Sequence, residues 1–436
     1  MADVRSLSRA LKHTNFRYFF AGQLVSLVGT WMQSVAQSWL VYRLTGSTLL
    51  LGLVGFCGQI PVFFFGAFGG VVADRFRRHR ILLATQSTMM LLAFVLAGLT
   101  LTGEVSVTQI FVLASLLGVA NAFDIPARQS FIPQMVSRED LVNAIALNSS
   151  MVTGARVVGP ALAGITVAAI GEGWCFFANG VSFLAVLGGL LAMRNLPAKT
   201  PAPTGSSVAR ILDGFRFVVQ TPPVFALLAL LGLVSLMGVP YTVLMPAIVD
   251  RVLHGNARDL GILMGFSGGG ALLGALALAT RVGVQGLGRW VWGAAGLFGA
   301  SLIAFSLSRT FWLCAALLVP TGFGFMVQMA STNTLVQSMT PDGMRGRVMA
   351  AYSMMFMGMA PIGALLAGTM AARIGSMATV SFGGAFCILG AFVFARQRRR
   401  LRAATRELIA SLEAARREPA AAGGGGPTPG AHRPTP

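Results

Sequence analysis

Twelve long apolar runs, separated by loops that alternate between rich and poor in positive charge, constrain this 436-residue chain more than any other feature. They lie at about 16–42, 48–73, 81–102, 106–125, 143–171, 173–193, 224–249, 258–280, 290–308, 311–336, 348–372 and 377–395. Crossing the hydrocarbon of a bilayer takes roughly 17–25 mostly apolar helical residues, and each run is of about that length or a little longer. The runs are rich in Leu, Ala, Gly and Phe and show no period-two alternation, so they predict helices and not barrel strands. Hydrophobic residues make up 55% of the chain and charged ones only 11%, too little polar surface for a water-soluble domain of this size. The expectation is an all-α polytopic membrane protein with twelve transmembrane helices.

A net charge of +19 invites a nucleic-acid reading, and the placement of the charges argues against it. With the N-terminus inside, the inner segments hold 27 of the 33 Lys and Arg residues; the outer loops hold Arg43, Arg251, Arg258, Arg309 and Arg373. This is the positive-inside asymmetry, which predicts both termini in the cytoplasm and assigns the basic balance to topology. The polar stretch 1–15 and the length of the first apolar run leave no cleavable signal peptide to be expected. Cys57, Cys175, Cys314 and Cys387 fall in separate runs without metal-ligand spacing, so neither a disulfide nor a metal site is predicted. Arginine far outnumbers lysine, a hint of a GC-rich bacterial genome, and the expected location is the bacterial inner membrane.

The stretch 195–223 is the long hydrophilic interruption and reads as a cytoplasmic linker, with 208–219 able to form a short amphipathic helix. It separates an N-terminal six-helix half, 1–194, from a C-terminal one, 224–395. Residues 396–436 form a tail whose polybasic amphipathic start suits an anionic inner leaflet and whose Gly- and Pro-rich end predicts disorder. The halves echo each other. Leu24-Val25-Ser26-Leu27 recurs as Leu233-Val234-Ser235-Leu236, Arg75 corresponds to Arg281, and Gly159-Pro160-Ala161-Leu162-Ala163-Gly164 aligns with Gly363-Ala364-Leu365-Leu366-Ala367-Gly368. Ordered matches at nearly one offset support a duplication, and two parallel six-helix repeats describe secondary transporters with a central cavity.

The loop after the second run reads Gly70-Val71-Val72-Ala73-Asp74-Arg75-Phe76-Arg77-Arg78-His79-Arg80. An acid among four arginines is not needed for anchoring. Asp74 and Arg78 stand four apart, on one face if the helix continues, and Asp74 could meet the positive N-terminus of a neighbouring helix. On Gly70, Ala73, Asp74, Arg75 and Arg78 this loop resembles the signature of the major facilitator superfamily; Arg77 stands where a second glycine is usual, and Val72 where leucine is. The resemblance implies a latch on the cytoplasmic side in which Asp74 meets the start of span 11 at Gly346-Arg347-Val348. Arg78 would then be free to bond a carboxylate on span 4, for which Asp124 is the candidate.

A second block, Phe123-Asp124-Ile125-Pro126-Ala127-Arg128-Gln129, followed by Asn143, Asn148 and residues 154–164, is similar to the bacterial branch of enterobactin, macrolide and multidrug exporters. Gly154, Gly159, Pro160 and Gly164 also resemble, in part, the Gly-Pro signature of the fifth span in proton-driven antiporters, a helix that packs between the halves. Small residues let backbones approach closely, with or without that role.

Ionisable residues inside a membrane are costly and are functional hypotheses by default. Asp124 reads as a latch partner or a proton carrier. Arg156 reads either as an attractor of anionic groups in the cavity or as a structural partner holding span 5 to span 4. Gln23, Ser26, Thr30, Gln33 and Gln37 form one polar stripe on span 1, joined by Asn121 on span 4, Ser235, Tyr241 and Thr242 on span 7, and Gln328, Thr332 and Asn333 on span 10. In the family those four spans form the cavity, so these side chains are its expected lining; interhelical hydrogen bonding is the plainer alternative. Five methionines between 349 and 359 suit apolar packing more than ligand contact.

No GxxxxGK[ST] phosphate loop occurs, and the four histidines lie in loops or termini, so neither ATP-driven transport by this chain alone nor an intramembrane enzyme is expected. The resemblance implies a secondary transporter, a monomer without cofactor that uses the proton gradient to export amphipathic small molecules by alternating access. A lipid carrier or a non-transporting sensor on the same fold are the alternatives.

Overall fold

The computed structural model describes residues 9–194, 207–281 and 283–397. The basic tail expected from 398 onward, and 195–206 of the linker, lie outside the described residues. Those described form twelve long helical spans: span 1 (Thr14–Thr45), span 2 (Thr48–Arg75), span 3 (Arg78–Leu101), span 4 (Val107–Phe131), span 5 (Leu141–Ile170), span 6 (Glu172–Ala192), span 7 (Pro222–Arg251), span 8 (Ala257–Ala279), span 9 (Leu287–Leu307), span 10 (Phe311–Ser338), span 11 (Arg345–Ile374) and span 12 (Ser376–Gln397). Eleven are long and apolar enough to cross a membrane by composition alone. Span 1 is long enough, but its glutamines and serines dilute its hydropathy.

Local sequence sets the helix boundaries. Ser106 and Gln109 form a capping box at the start of span 4, as do Asn256 and Asp259 at span 8, satisfying first-turn N–H groups that would otherwise be orphaned. Spans 5 and 6 join through a single residue, Gly171 at φ 90°, and spans 11 and 12 through Gly375 at φ 87°. Only glycine adopts that conformation without strain. The two turns stand 204 positions apart, the offset of the glycine motifs that precede them.

Span 7 is not one continuous α-helix. It runs regularly to Leu233, widens into a π turn at Val234–Gly238 and resumes at Tyr241 after Pro240. Proline at 240 cannot donate to the backbone ladder, which accounts for the restart. The linker helix, Ser207–Gln220, packs on span 11.

Within the first half span 1 packs on spans 5 and 6, span 2 on span 4, and span 3 on spans 4 and 6; in the second, span 10 packs on spans 8 and 9. Between the halves, the main neighbours are span 2 with span 11 and span 5 with span 8. One end of the bundle, the basic end, carries Arg75, Arg77, Arg78, Arg80, Arg138, Arg345 and Arg347; the far end carries the loops around Gly46, Gly171 and Gly255.

Candidate functional site

The seams between the halves are sealed at the far end. A Cβ added to Gly52 would lie 2.5 Å from the Ala364 carbonyl oxygen and 3.0 Å from Gly368 Cα, and one added to Gly164 would lie 2.9 Å from Gly261 Cα. Thr48 Oγ1 donates to the Gly368 carbonyl at 3.3 Å, and Arg251 donates to the Gly46 carbonyl across the same rim. The two seams are internal equivalents: Gly52 and Gly261 stand 209 positions apart, Gly164 and Gly368 stand 204 apart. Farther along, Gly358 meets the Phe63 ring and Gly268 meets the backbone of Arg156 and Val157.

Beyond that level the seams part. Gly66 and Gly70 continue the face of span 2 that holds Gly52 and Gly55, yet nothing lies within 4 Å of an added Cβ at either. The same is true of Gly154 on span 5 and Gly346 on span 11. The molecule is therefore closed at the far end and open at the basic end. Of the antiporter-like residues, Gly164 seals the seam with span 8, Gly159 packs on Trp31 of span 1, Pro160 is buried, and Gly154 faces open space.

The expected latch is divided among separate partners in this conformation. The helix breaks at Phe76 and Arg77, and Asp74 still reaches Arg78 at 3.7 Å. Asp124 does not pair with Arg78. It is 1% exposed and accepts hydrogen bonds from Thr85 Oγ1 at 2.9 Å and Gln86 Nε2 at 2.8 Å, while Arg128 Nε lies 3.5 Å from its other oxygen. Arg128 also donates to Gln23 Oε1 at 3.2 Å, tying spans 1, 3 and 4 together. Arg347 is not held by Asp74 either; its Nη1 donates to Asp213 of the linker helix at 3.1 Å. Gly214 allows this approach, because a Cβ there would stand 2.5 Å from the Arg347 carbonyl oxygen. Arg75 lines a shallow groove at the basic end with Phe76, Arg77 and Arg80.

In this conformation several of the residues expected to line the cavity sit in interhelical contacts, the plainer of the two readings. Gln33 accepts from Asn179 Nδ2 of span 6 at 2.7 Å, and Gly22 and Gly29 press on the same span, so this side of the span 1 stripe is an interhelical seam. Ser26 is buried, and Thr30 bonds back to the Ser26 carbonyl. Gln328 and Thr332 are fully buried and paired at 3.5 Å within span 10, while Asn333 accepts from Gln337. Ser235, in the π turn, is buried with no partner for its hydroxyl among the described residues. Thr242 bonds back to the Val239 carbonyl. Gln37 and Asn121 are half-buried. Helix periodicity gives the face of a stripe but not the neighbour that the face meets.

Arg156 is not paired with span 4. Its guanidinium lies 4.8 Å from the centre of the Trp31 ring on span 1, and its Nε has no hydrogen-bond acceptor among the described residues. Tyr241 of the opposite half is nearby, with its hydroxyl 2.7 Å from Ser267 Oγ. Sequence reasoning named Arg128 within a motif but gave it no role, and passed over Trp31, Thr85, Gln86 and Asp213. The i, i+4 spacing of Asp124 and Arg128 was the signal for the first; the others become neighbours only through the tertiary fold.

A further cluster at the basic end was also missed. Asp140, buried just before span 5, is approached by Arg9 at 3.3 Å, Lys12 at 2.9 Å and His13 at 2.9 Å, with Ser137 donating at 3.2 Å. The Lys12 and His13 hydrogen bonds hold its carboxyl well below the usual carboxylate range. Asn143 accepts from the Ala10 amide at 2.8 Å, so the N-terminal 3-10 turn Arg9–Lys12 is clasped onto the loop before span 5.

Comparisons with known proteins agree on the kind of molecule. The profile of transmembrane secretion effectors matches residues 6–421. The staphyloferrin A transporter of Staphylococcus aureus (strain NCTC 8325 / PS 47) is 26% identical over 395 residues, covering 88% of this chain and 97% of that protein. The enterobactin exporter EntS of Shigella boydii serotype 4 (strain Sb227) is 28% identical over 392 residues, covering 87% and 90%. Among solved structures, the nucleoside transporter NupG superposes with a TM-score of 0.67 at 15% identity, covering 89% of this chain and 98% of that one. A bacterial homologue of the human lysosomal transporter Spinster, inward-facing and unoccupied, gives a TM-score of 0.66 at 15% identity, covering 94% and 98%. At such identities the superpositions speak for the fold alone.

Proposed function

Since the chain belongs to the transmembrane secretion effector family of major facilitator transporters, we propose that it exports a siderophore-type small molecule by alternating access, driven by the proton gradient. The observation that carries this reading is the asymmetry between the two ends. The halves touch backbone to backbone at the far end and are parted at the basic end. A binding protein with one fixed pocket does not need halves sealed at one end and parted at the other; a carrier that exposes a central site to each side in turn does.

On this reading the basic end faces the cytoplasm of the bacterial inner membrane, with both termini on that side, and the positive-inside placement of the charges supports that orientation. The structure then corresponds to the loading state of an exporter. In the return step the parted faces close, and Asp74 approaches the N-terminus of span 11 in place of its present exposure. Proton coupling is assigned to Asp124, a buried carboxylate near the cytoplasmic opening whose protonation would release Arg128 and Gln23. The siderophore class rests on the names of the relatives, two of which handle staphyloferrin A and enterobactin.

The test is flux into inside-out proteoliposomes under an imposed pH gradient. Catecholate and carboxylate siderophores, a macrolide and a lipophilic cation are compared for wild type and Asp124→Asn. Gradient-dependent uptake of a siderophore, lost in the variant, is the expected result. Uptake confined to the lipophilic cation would remove the siderophore class, and uptake indifferent to the gradient would remove proton coupling.

A further inference from the structure

Arg156 is the sixteenth of thirty residues in span 5, which places it near the middle of the membrane. An ionised side chain at that depth is costly and ordinarily has a carboxylate for company. Among the described residues none lies within salt-bridge distance of it. Asp124, the acid inside span 4, is already engaged by Arg128, Thr85 and Gln86. Arg156 has instead the face of Trp31, a contact that steadies a cation without neutralising it.

Its position along the seam matters as much as its charge. Gly268 of span 8 packs on the backbone of Arg156 and Val157 across the halves' contact, Gly159 packs on Trp31 within the first half, and Gly154, less than one turn toward the basic end, faces open space. Arg156 thus stands on the floor of the opening, where the sealed part of the molecule ends. Across from it Tyr241 begins an aromatic series in the other half. Tyr241 and Phe298 lie edge to face at 6.3 Å, Phe298 and Phe325 follow at 5.8 Å, and Phe325 stacks with Phe356 at 6.2 Å. Phe325 and Phe356 are only half-buried.

We propose that Arg156, steadied by Trp31 and set beside the stretch of span 8 that holds Tyr241 through Ser267, is the anion-recognising residue of the central cavity, taking the carboxylate or ionised catechol oxygen of a ligand whose aromatic or apolar body lies toward Phe325 and Phe356. The proposal deepens the siderophore reading above and rests on it for the route by which the ligand arrives. It gives the substrate a chemical class, an oxygen-rich anion with an apolar body, and gives Arg156 the partner that the protein itself withholds. Arginine suits the role because its planar, always-charged donor set matches paired oxygens.

The experiment is calorimetric binding of 2,3-dihydroxybenzoylserine and of its neutral carboxamide to the purified full-length protein in nanodiscs of uncharged lipid. Wild type is compared with Arg156→Gln, Arg156→Lys and Arg156→Met, the last serving if the glutamine variant does not fold. Wild type is expected to bind the acid roughly 10- to 100-fold tighter than the amide, the worth of one charge-assisted hydrogen bond. Arg156→Gln and Arg156→Met are expected to lose that preference while still binding the amide, and Arg156→Lys to keep part of it. Equal binding of acid and amide by wild type, an unchanged preference in the neutral variants, or loss of both ligands together overturns the proposal. Siderophore flux measured on the same wild-type preparation separates the two readings. Flux without an acid preference sinks the role of Arg156 alone, and an acid preference without flux sinks the export reading alone.

Discussion

Arg347 Nη1 lies 3.1 Å from Asp213 Oδ2, so the arginine at the start of span 11 is held by the linker helix while Asp74 remains with Arg78. A carboxylate from the connection between the halves thus stands at the start of span 11, where Asp74 was expected to meet the helix N-terminus. Both partners are substantially exposed, so the pair is worth about 0.2–1 kcal/mol. Asp213→Asn is expected to raise the population closed at the basic end by about 1.4- to fivefold. Spin-label distances between positions 138 and 343 measure it, and an unchanged distance distribution would remove the linker helix from the gating equilibrium.

Asp124 and Arg128 stabilise the N-terminal half only as a pair. Asp124→Ala leaves a cation without its partner and strands the Thr85 and Gln86 donors, a loss of about 3 kcal/mol, at the low end for a broken buried pair because Arg128 is partly exposed. Asp124→Asn combined with Arg128→Gln is expected to recover most of that stability and to abolish gradient-driven flux. Thermal unfolding in detergent reads the first effect and proteoliposome uptake the second. A double variant that transports normally would exclude Asp124 from coupling.

The clasp on Asp140 carries a pH signature. A carboxyl whose folded value lies below its unfolded value of 3.8 contributes stability that is fully present above that value and is lost as pH falls through the folded value. The N-terminal turn is therefore expected to stay docked down to about pH 4 and to release only under stronger acid. Asp140→Asn should release it at neutral pH. Hydrogen exchange at the amides of Ala10 and His13 is the readout, and equal protection in variant and wild type would assign docking to the Asn143 contact alone.

The far-end seal is expected to fail from a single methyl group. Gly52→Ala sets a Cβ 2.5 Å from the Ala364 carbonyl oxygen, and overpacking of this kind costs about 1–3 kcal/mol. In a background without the native cysteines, Leu51→Cys is buried and should react slowly with an impermeant maleimide; adding Gly52→Ala should speed labelling from the far side roughly 5- to 100-fold. Unchanged labelling would mean that the seam relaxes sideways without opening.

The helical framework was open to reading because each span satisfies its own backbone and must match the bilayer in length. Apolar runs therefore mark spans directly, and the amphipathic 208–219 stretch appears as the helix Ser207–Gln220. The π turn in span 7 was hidden, since Val234 to Gly238 is apolar like its surroundings and only Pro240 marks the disturbance. Side-chain roles were legible where partners are close in sequence and illegible where the fold supplies them. Asp74 with Arg78 was legible at a spacing of four, and so was Asp124 with Arg128, though its partner was sought elsewhere. Gln33 with Asn179, Arg156 with Trp31 and Arg347 with Asp213 join residues more than 120 positions apart, and no local pattern announces them.

The glycine seams have an entropic consequence. Gly52 against Gly368 and Gly164 against Gly261 bring main chain to main chain, so these contacts themselves freeze no side-chain rotamers, and the far rim immobilises few side chains besides Thr48 and Arg251. The glycine contacts therefore add no rotameric entropy to the balance between conformations. The larger rotameric share falls where several long charged side chains must be immobilised to close the molecule, at the end that holds Asp74, Arg78, Asp213 and Arg347. Substitutions there should shift which face is open without changing how tightly the opposite one shuts.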